Sequence, residues 1–145
     1  MKKRDIILVT GASSGIGLAT AQMLRGTGRR VYGTSRNAGD DGGENAAESG
    51  GKFEMLRMDV RSEESIGRCV AEVLEREGRI DAVVNNAGYG ICGADEETSP
   101  EEAMAQFDTN VFGVLRVCRA VLPHMRERGE GLILNVSSLG GLMSA

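Results

Sequence analysis

The chain has 145 residues, 41% hydrophobic and 26% charged, enough for one domain with a real core and ordinary for a soluble globular protein. A net charge of −4, from 17 basic and 21 acidic residues, offers no basic face for nucleic acid, and no apolar run is long enough to span a membrane. Cys69, Cys92 and Cys118 form no Cys-x-x-Cys pair and His124 is the only histidine, which argues against a disulfide framework or a metal site and fits reduced thiols in a cytoplasmic protein.

In chain order, Ile6-Ile7-Leu8-Val9 is a short apolar run expected of a strand buried on both faces. Residues 15–26 carry Ile16, Ala19, Met23 and Leu24 at helical spacing. A second strand is expected at Val31–Thr34 and a third at Phe53–Met58. Between them, residues 37–51 hold five glycines and no apolar side chain larger than Ala, so a loop is expected there, with at most a short helix around Glu44–Glu48.

Ile66, Cys69, Val70, Val73 and Leu74 fit the i, i+3, i+4, i+7, i+8 pattern of a helix, capped by Ser62, with Glu63 and Glu64 in its positive first turn. Ile80–Val84 is the fourth strand. Ser99-Pro100-Glu101-Glu102 reads as a capping box that opens a long helix over 101–127. Phe107, Val111, Val114, Leu115, Cys118, Val121, Leu122 and Met125 form its apolar stripe. Leu132–Val136 is the fifth strand. Met23, Met55, Met104 and Met125 are expected to pack, and His124 to lie on the surface.

Strand and helix alternate, which implies right-handed crossovers and a mostly parallel sheet with helices on both faces. The expected fold is therefore a single α/β domain over residues 1–145, doubly wound.

Between the first strand and first helix stands Thr10-Gly11-Ala12-Ser13-Ser14-Gly15-Ile16-Gly17. A pyrophosphate needs free backbone N–H groups at a helix N-terminus, and Cβ atoms would hold it away. Gly11 permits the turn, Gly15 lets backbone approach phosphate, and Gly17 lets the helix pack on the sheet. The spacing is Gly-x-x-x-Gly-x-Gly, unlike the commoner Gly-x-Gly-x-x-Gly. Open α/β sheets bind ligands at the carboxyl ends of their strands, where this turn lies.

The segment resembles the cofactor motif of the short-chain dehydrogenases/reductases, and four further matches follow in that family's order. Asp59-Val60 is similar to the pair that contacts the adenine ring. Asn85-Asn86-Ala87-Gly88 is similar to the motif that steadies the central sheet and lies against the cofactor. Asn110 matches the asparagine of the catalytic set. Asn135-Val136-Ser137-Ser138 matches the segment carrying the catalytic serine, which is Ser138. The resemblance implies a strand order of 3-2-1-4-5, a Rossmann-like fold, and hydride exchange between a nicotinamide and a carbonyl or alcohol.

It implies cofactor contacts from Gly11, Ser13, Ser14, Gly15, Ile16, Gly17, Asp59, Val60, Asn86, Ala87 and Gly88. NAD-preferring members hold the ribose with an acid after the second strand. Here that place reads Thr34-Ser35-Arg36-Asn37, and Arg36 can meet a 2′-phosphate, so NADP is expected, with NAD the alternative. The family's Tyr-x-x-x-Lys pair has no match: Tyr32 and Tyr89 are followed four positions on by Arg36 and Gly93. The chain thus reads as the N-terminal part of a longer, homo-oligomeric reductase, inactive alone. The rival reading is a dinucleotide-binding module without chemistry; a sugar-nucleotide epimerase fits less well.

Overall fold

The structure, a computed structural model, describes residues 5–38, 53–93 and 95–138. Five parallel strands lie side by side in the order β3-β2-β1-β4-β5. They are β1 (Ile6–Val9), β2 (Arg30–Ser35), β3 (Glu54–Arg57), β4 (Ala82–Asn85) and β5 (Leu132–Asn135). All four residues of β1 are buried, as an apolar run in a central strand requires. In register, Leu8 stands opposite Tyr32 on one side and Val83 on the other.

Strand residues alternate between two faces. Leu8, Tyr32, Leu56 and Val83 face a core with Ile66, Val70 and Val73 of α2 (Glu63–Glu77) and Val117, Val121 and Met125 of the long helical segment described below. Ile7, Val9, Val31 and Val84 face Ala21 of α1 (Gly15–Gly26), with Leu18 and Leu24 packed beside them. Burying a side chain such as Leu8 removes it wholly from water and contributes about 1.5–3 kcal/mol.

Helix ends follow the expected chemistry. Ser62 Oγ accepts from the Ser65 N–H at 3.2 Å, and α2 closes at Gly78, whose φ of +72° lets its N–H reach Leu74 O at 2.8 Å. Ser99 and Glu102 form a reciprocal capping box at the start of α3 (Pro100–Phe107).

The expected single helix over 101–127 is instead three pieces. A π turn, Asp108–Phe112, separates α3 from α4 (Gly113–Arg128). The turn shifts the apolar stripe, so Val117 joins the core while Phe107, Val111, Leu115 and Leu122 are exposed. The α1 stripe also differs from expectation. Gly17 and Ala21 are its buried residues, and Ile16 and Met23 are exposed, because a helix opening at a tight turn presents its small residues to the sheet. Met104 is exposed as well, Met125 is buried, and His124 lies on the surface as expected. Only Asn37 and Ala38 of the expected 37–51 loop fall within the described residues.

At the amino end of β2, Tyr32 donates its phenolic proton to Glu77 Oε1 at 2.6 Å, and Arg30 Nε reaches the same oxygen at 3.0 Å. Arg30 also bonds Glu54 Oε2 at 3.0 Å, so one charged cluster ties β2, β3 and α2 together. The hydrogen bond from Tyr32 holds the Glu77 carboxyl below its ordinary range. Burial pushes the Tyr32 phenol up, and the Glu77 bond adds to this.

Candidate active site

Every motif read from the sequence emerges at the carboxyl end of the sheet, except Asn110, which reaches it from the π turn. After β1 the chain turns at Gly11, with φ +66°; a Cβ there would lie 2.8 Å from Ala87 Cα. Gly15 has φ +56° and nothing within 4 Å of where a Cβ would stand. Ser13, Ser14 and Ile16 are exposed around it. Gly17 is buried, and its Cβ would meet Gly11 O at 2.3 Å and Asn86 Nδ2 at 2.4 Å. Gly17 is therefore needed for the turn's approach to the Asn86 amide as much as for packing on the sheet.

The first α-helices after β1, β3 and β4 start differently. α2 and α3 each carry a serine cap and two glutamates in the first turn. α1 has Ser14 at its N-cap position without a side-chain cap bond, and no acidic residue in its first turn. Its positive end is left for an external anion, and a pyrophosphate fits such a donor set.

Asn86 joins the first glycine turn to β4. Its Nδ2 donates to Thr10 O at 3.0 Å and to Gly11 O at 3.1 Å. Thr10, which sequence reasoning did not single out, completes the joint: its Oγ1 accepts from the N–H groups of Asn86 and Ala87, both at 3.0 Å. A buried Thr closing a strand before a glycine turn was the available signal.

Asn110 engages both ends of its amide with one residue. Its Oδ1 accepts from the Tyr89 N–H at 3.1 Å and its Nδ2 donates to Tyr89 O at 2.7 Å. Gln106 Nε2 adds a bond to Tyr89 O at 3.2 Å. A Cβ on Gly88 would stand 3.0 Å from Asn110 Oδ1. Asn110 thus clamps the segment after Gly88, and the π turn explains how an Asn within an apolar helical stripe is accommodated. Arg116 holds that turn from outside, donating to Asp108 O at 3.2 Å and to Asp108 Oδ1 at 2.6 Å. Gly113 packs so closely that a Cβ would lie 2.8 Å from Val60 Cγ2. The Val60 side chain is buried in the core, which leaves its backbone for any contact at the site.

Asp59 is held by Arg61, missed in the sequence, whose Nη2 reaches Oδ2 at 2.7 Å and Nε reaches Oδ1 at 3.0 Å. That bond, against opposing burial, keeps the Asp59 carboxyl below its ordinary range. Arg36 is exposed after β2, close enough to Asp59 to add to this lowering. Ser138 lies beyond β5 and is exposed. At the opposite, amino end of the sheet, Asp5, Arg79, Asp81, Glu130 and Gly131 line a shallow concavity. There Arg79 and Arg128 bridge Asp81 at 3.1 and 2.9 Å, a charge-paired cluster remote from the motifs. Among the described residues there is no cluster of His, Cys, Asp and Glu able to hold a metal, and no helix long and apolar enough to cross a membrane.

Comparison with known proteins agrees with this fold. The short chain dehydrogenase family model matches residues 5–145. A 3-ketodihydrosphingosine reductase of Bacteroides thetaiotaomicron is 48% identical over 139 residues, 96% of this chain and 49% of that protein. Human 17-beta-hydroxysteroid dehydrogenase type 1 is 37% identical, with 97% and 44% covered. Among solved structures, an actinorhodin polyketide ketoreductase with NADPH superposes with a TM-score of 0.88 at 39% identity, covering all of this chain and 57% of that one. A short-chain dehydrogenase from Streptomyces avermitilis gives 0.85 at 43% identity, covering 99% of this chain and 52% of that one. The chain spans about half the length of the curated relatives it matches. On its five ordered motifs, its 3-2-1-4-5 sheet and these matches, the chain belongs to the short-chain dehydrogenase family.

Proposed function

We propose that this chain forms the dinucleotide-binding half of an NADP-dependent oxidoreductase acting on a carbonyl or alcohol. The observation that carries the reading is the uncapped, acid-free start of α1 behind a turn of Gly11, Gly15 and Gly17. When bound, the nicotinamide supplies or accepts the hydride. The backbone N–H groups of Ser13–Gly17 hold the pyrophosphate, and Arg36 binds the 2′-phosphate as a charge-assisted pair. Asp59 meets the adenine, its carboxylate oriented by Arg61. Asn86, Ala87 and Gly88 wall the nicotinamide side. Asn110 acts by fixing Tyr89 and the segment leading to it, because both ends of its amide are already engaged.

Ser138 donates a hydrogen bond to the substrate's carbonyl oxygen, stabilising the negative charge that grows there as hydride arrives at carbon. The proton that completes the alcohol comes from a Tyr-x-x-x-Lys pair, which residues 1–145 do not contain. The alternative is a dinucleotide-binding module without turnover.

The test is NADPH oxidation, with a panel of ketones, by the longer protein of which this chain is proposed to form half. 3-Ketodihydrosphingosine heads the panel, because a relative 48% identical carries that name. Turnover that falls with Ser138→Ala supports the enzyme reading; saturable NADPH binding with no turnover on any ketone supports the binding module. Tighter binding of NAD than NADP, unaffected by Arg36→Asp, overturns the NADP assignment.

A further inference from the structure

We propose that Arg61 is a positioning residue that sets the preference for a 2′-phosphate, by neutralising Asp59 and so leaving Arg36 to the phosphate. The inference rests on the reading of Arg36 as the 2′-phosphate cation, and it concerns what keeps that cation available.

The backbone puts Arg36 and Asp59 side by side. β2 and β3 are parallel neighbours, with Ser35 opposite Arg57. The Met58 N–H donates to Ser35 O at 3.0 Å, so the two strands end together. Arg36 and Asp59 are the next residues out, and Arg36 is close enough to act on the Asp59 carboxyl. A bare carboxylate at this place would oppose a 2′-phosphate in two ways. It would compete with the phosphate for Arg36, and it would repel the phosphate directly, more strongly as water is displaced. An Asp suited to adenine is therefore a liability for the phosphate unless its charge is met by a second cation.

Arg61 is that cation. The turn at Asp59–Ser62 brings it back over Asp59. Asp59 Oδ1 accepts from the Arg61 N–H at 2.9 Å, the Ser62 N–H reaches Asp59 O at 3.1 Å, and the Asp59 N–H donates to Ser65 Oγ at 3.0 Å. Val60, between them, is buried in the core. The Arg61 guanidinium then grips the carboxylate with two prongs, Nε to Oδ1 at 3.0 Å and Nη2 to Oδ2 at 2.7 Å. Stability does not account for the pair. Its side chains are 43% and 29% exposed, and residues two apart in one turn are already fixed by backbone bonds, so the pair adds little to the fold. The other carboxylate acting on Arg61, Asp108, is met by Arg116 at 2.6 Å. Among the described residues, then, Asp59 is matched by Arg61 and Asp108 by Arg116, and the charge of Arg36 remains for an incoming anion. Two donors of Arg61 point at Asp59, so Arg61 acts on the phosphate through that carboxylate and not by contact.

The experiment titrates the longer protein, of which this chain is proposed to form half, with adenosine 2′,5′-bisphosphate and with adenosine 5′-monophosphate, by calorimetry. The probes differ only in the 2′-phosphate, so the ratio of their affinities cancels what the adenine contact contributes to both. The native protein should prefer the bisphosphate at least about tenfold. Arg61→Ala should cut that preference about three- to tenfold, and Arg61→Lys, which keeps the charge, should cut it less. In an Asp59→Asn background, which removes the charge to be neutralised, Arg61→Ala should change the preference less than about twofold. If Arg61→Ala proves unstable, Arg61→Gln carries the same expectations. An unchanged preference in Arg61→Ala would overturn the inference and leave the NADP reading standing. An equal loss with and without Asp59→Asn would also overturn it, by putting Arg61 on the phosphate itself. A native protein that binds both probes alike, or neither, would overturn the NADP reading and this inference with it.

Discussion

Gly17→Ala puts one methyl group at the joint between the glycine turn and β4. The new Cβ would stand 2.3 Å from Gly11 O, 2.4 Å from Asn86 Nδ2 and 3.0 Å from Gly11 C. Two of these three atoms are backbone, so relief requires the turn itself to move, not a flexible side chain. Overpacking of this kind costs about 1–3 kcal/mol. Displacing Asn86 Nδ2 also weakens its bonds to Thr10 O and Gly11 O, each worth about 1 kcal/mol net. Alanine's better helix propensity returns at most about 1 kcal/mol. The net expectation is a loss of about 2–4 kcal/mol in denaturant unfolding. NADPH affinity should fall more than tenfold, because the displaced backbone is what would face the pyrophosphate. Gly26→Ala is the internal control. It lies at the other end of α1, and nothing stands within 4 Å of its Cβ position. That variant should be neutral or up to about 1 kcal/mol more stable, with unchanged NADPH affinity. Equal behaviour of the two variants would refute the reasoning.

Other substitutions separate the remaining roles. In the longer protein of which this chain is proposed to form half, Ser138→Ala should lower carbonyl reduction about 10²–10³-fold in kcat while NADPH affinity holds, read by steady-state kinetics beside a binding titration. Arg36→Asp should weaken NADPH about tenfold to a hundredfold, the scale of one charge-assisted bond, and leave NADH binding unchanged or improved in the same titration. The Glu77 carboxyl is lowered from its ordinary 4.5 by Tyr32 first and then Arg30, so the stability it contributes is present at neutral pH and lost as pH falls through 4.5 and below. Urea midpoints of Glu77→Gln against pH should show a flatter acid limb than the native protein; parallel curves would contradict this. Burial pushes the Cys69 thiol up to about 12, whereas Cys92 is exposed. At pH 8 a small alkylating reagent should modify Cys92 and spare Cys69 in the folded protein, as peptide mass analysis would report.

The fold was legible wherever one period governed a segment. Ile6–Val9 and the Ile66–Leu74 stripe each gave element and burial together, and Ser62 and Ser99 marked their helix starts by chemistry that acts locally. The break at Asp108–Phe112 was not legible. The turn is held by contacts distant in sequence, Gly113 against Val60 and Asn110 to Tyr89, with Arg116 bonding back to Asp108 across it. For the same reason Gln106 and Arg61 escaped notice, and Thr10 was read only as the first residue of the glycine segment. Each acts on a motif residue through folding. Ile16 and Met23 illustrate the converse. Their helical spacing was real, but the sheet took the side of α1 bearing Gly17 and Ala21, because close approach favoured small residues there. The positions of Ser138 and Asn110 relative to the strands followed from the motifs, while the engagement of Asn110 with Tyr89 needed the structure.

The central claim is that a dinucleotide lies across the carboxyl end of the sheet, with its pyrophosphate on the start of α1. The most direct measurement is an amide chemical-shift titration of the protein with NADPH. The largest shifts are expected at Ser13–Gly17, with further shifts at Asp59, Val60 and Asn86–Gly88, saturating together at one affinity. The amino end of the sheet around Asp5, Asp81 and Gly131 should stay unchanged. Absence of saturable shifts at Ser13–Gly17, or shifts confined to the Asp5–Asp81–Gly131 end, would contradict the claim.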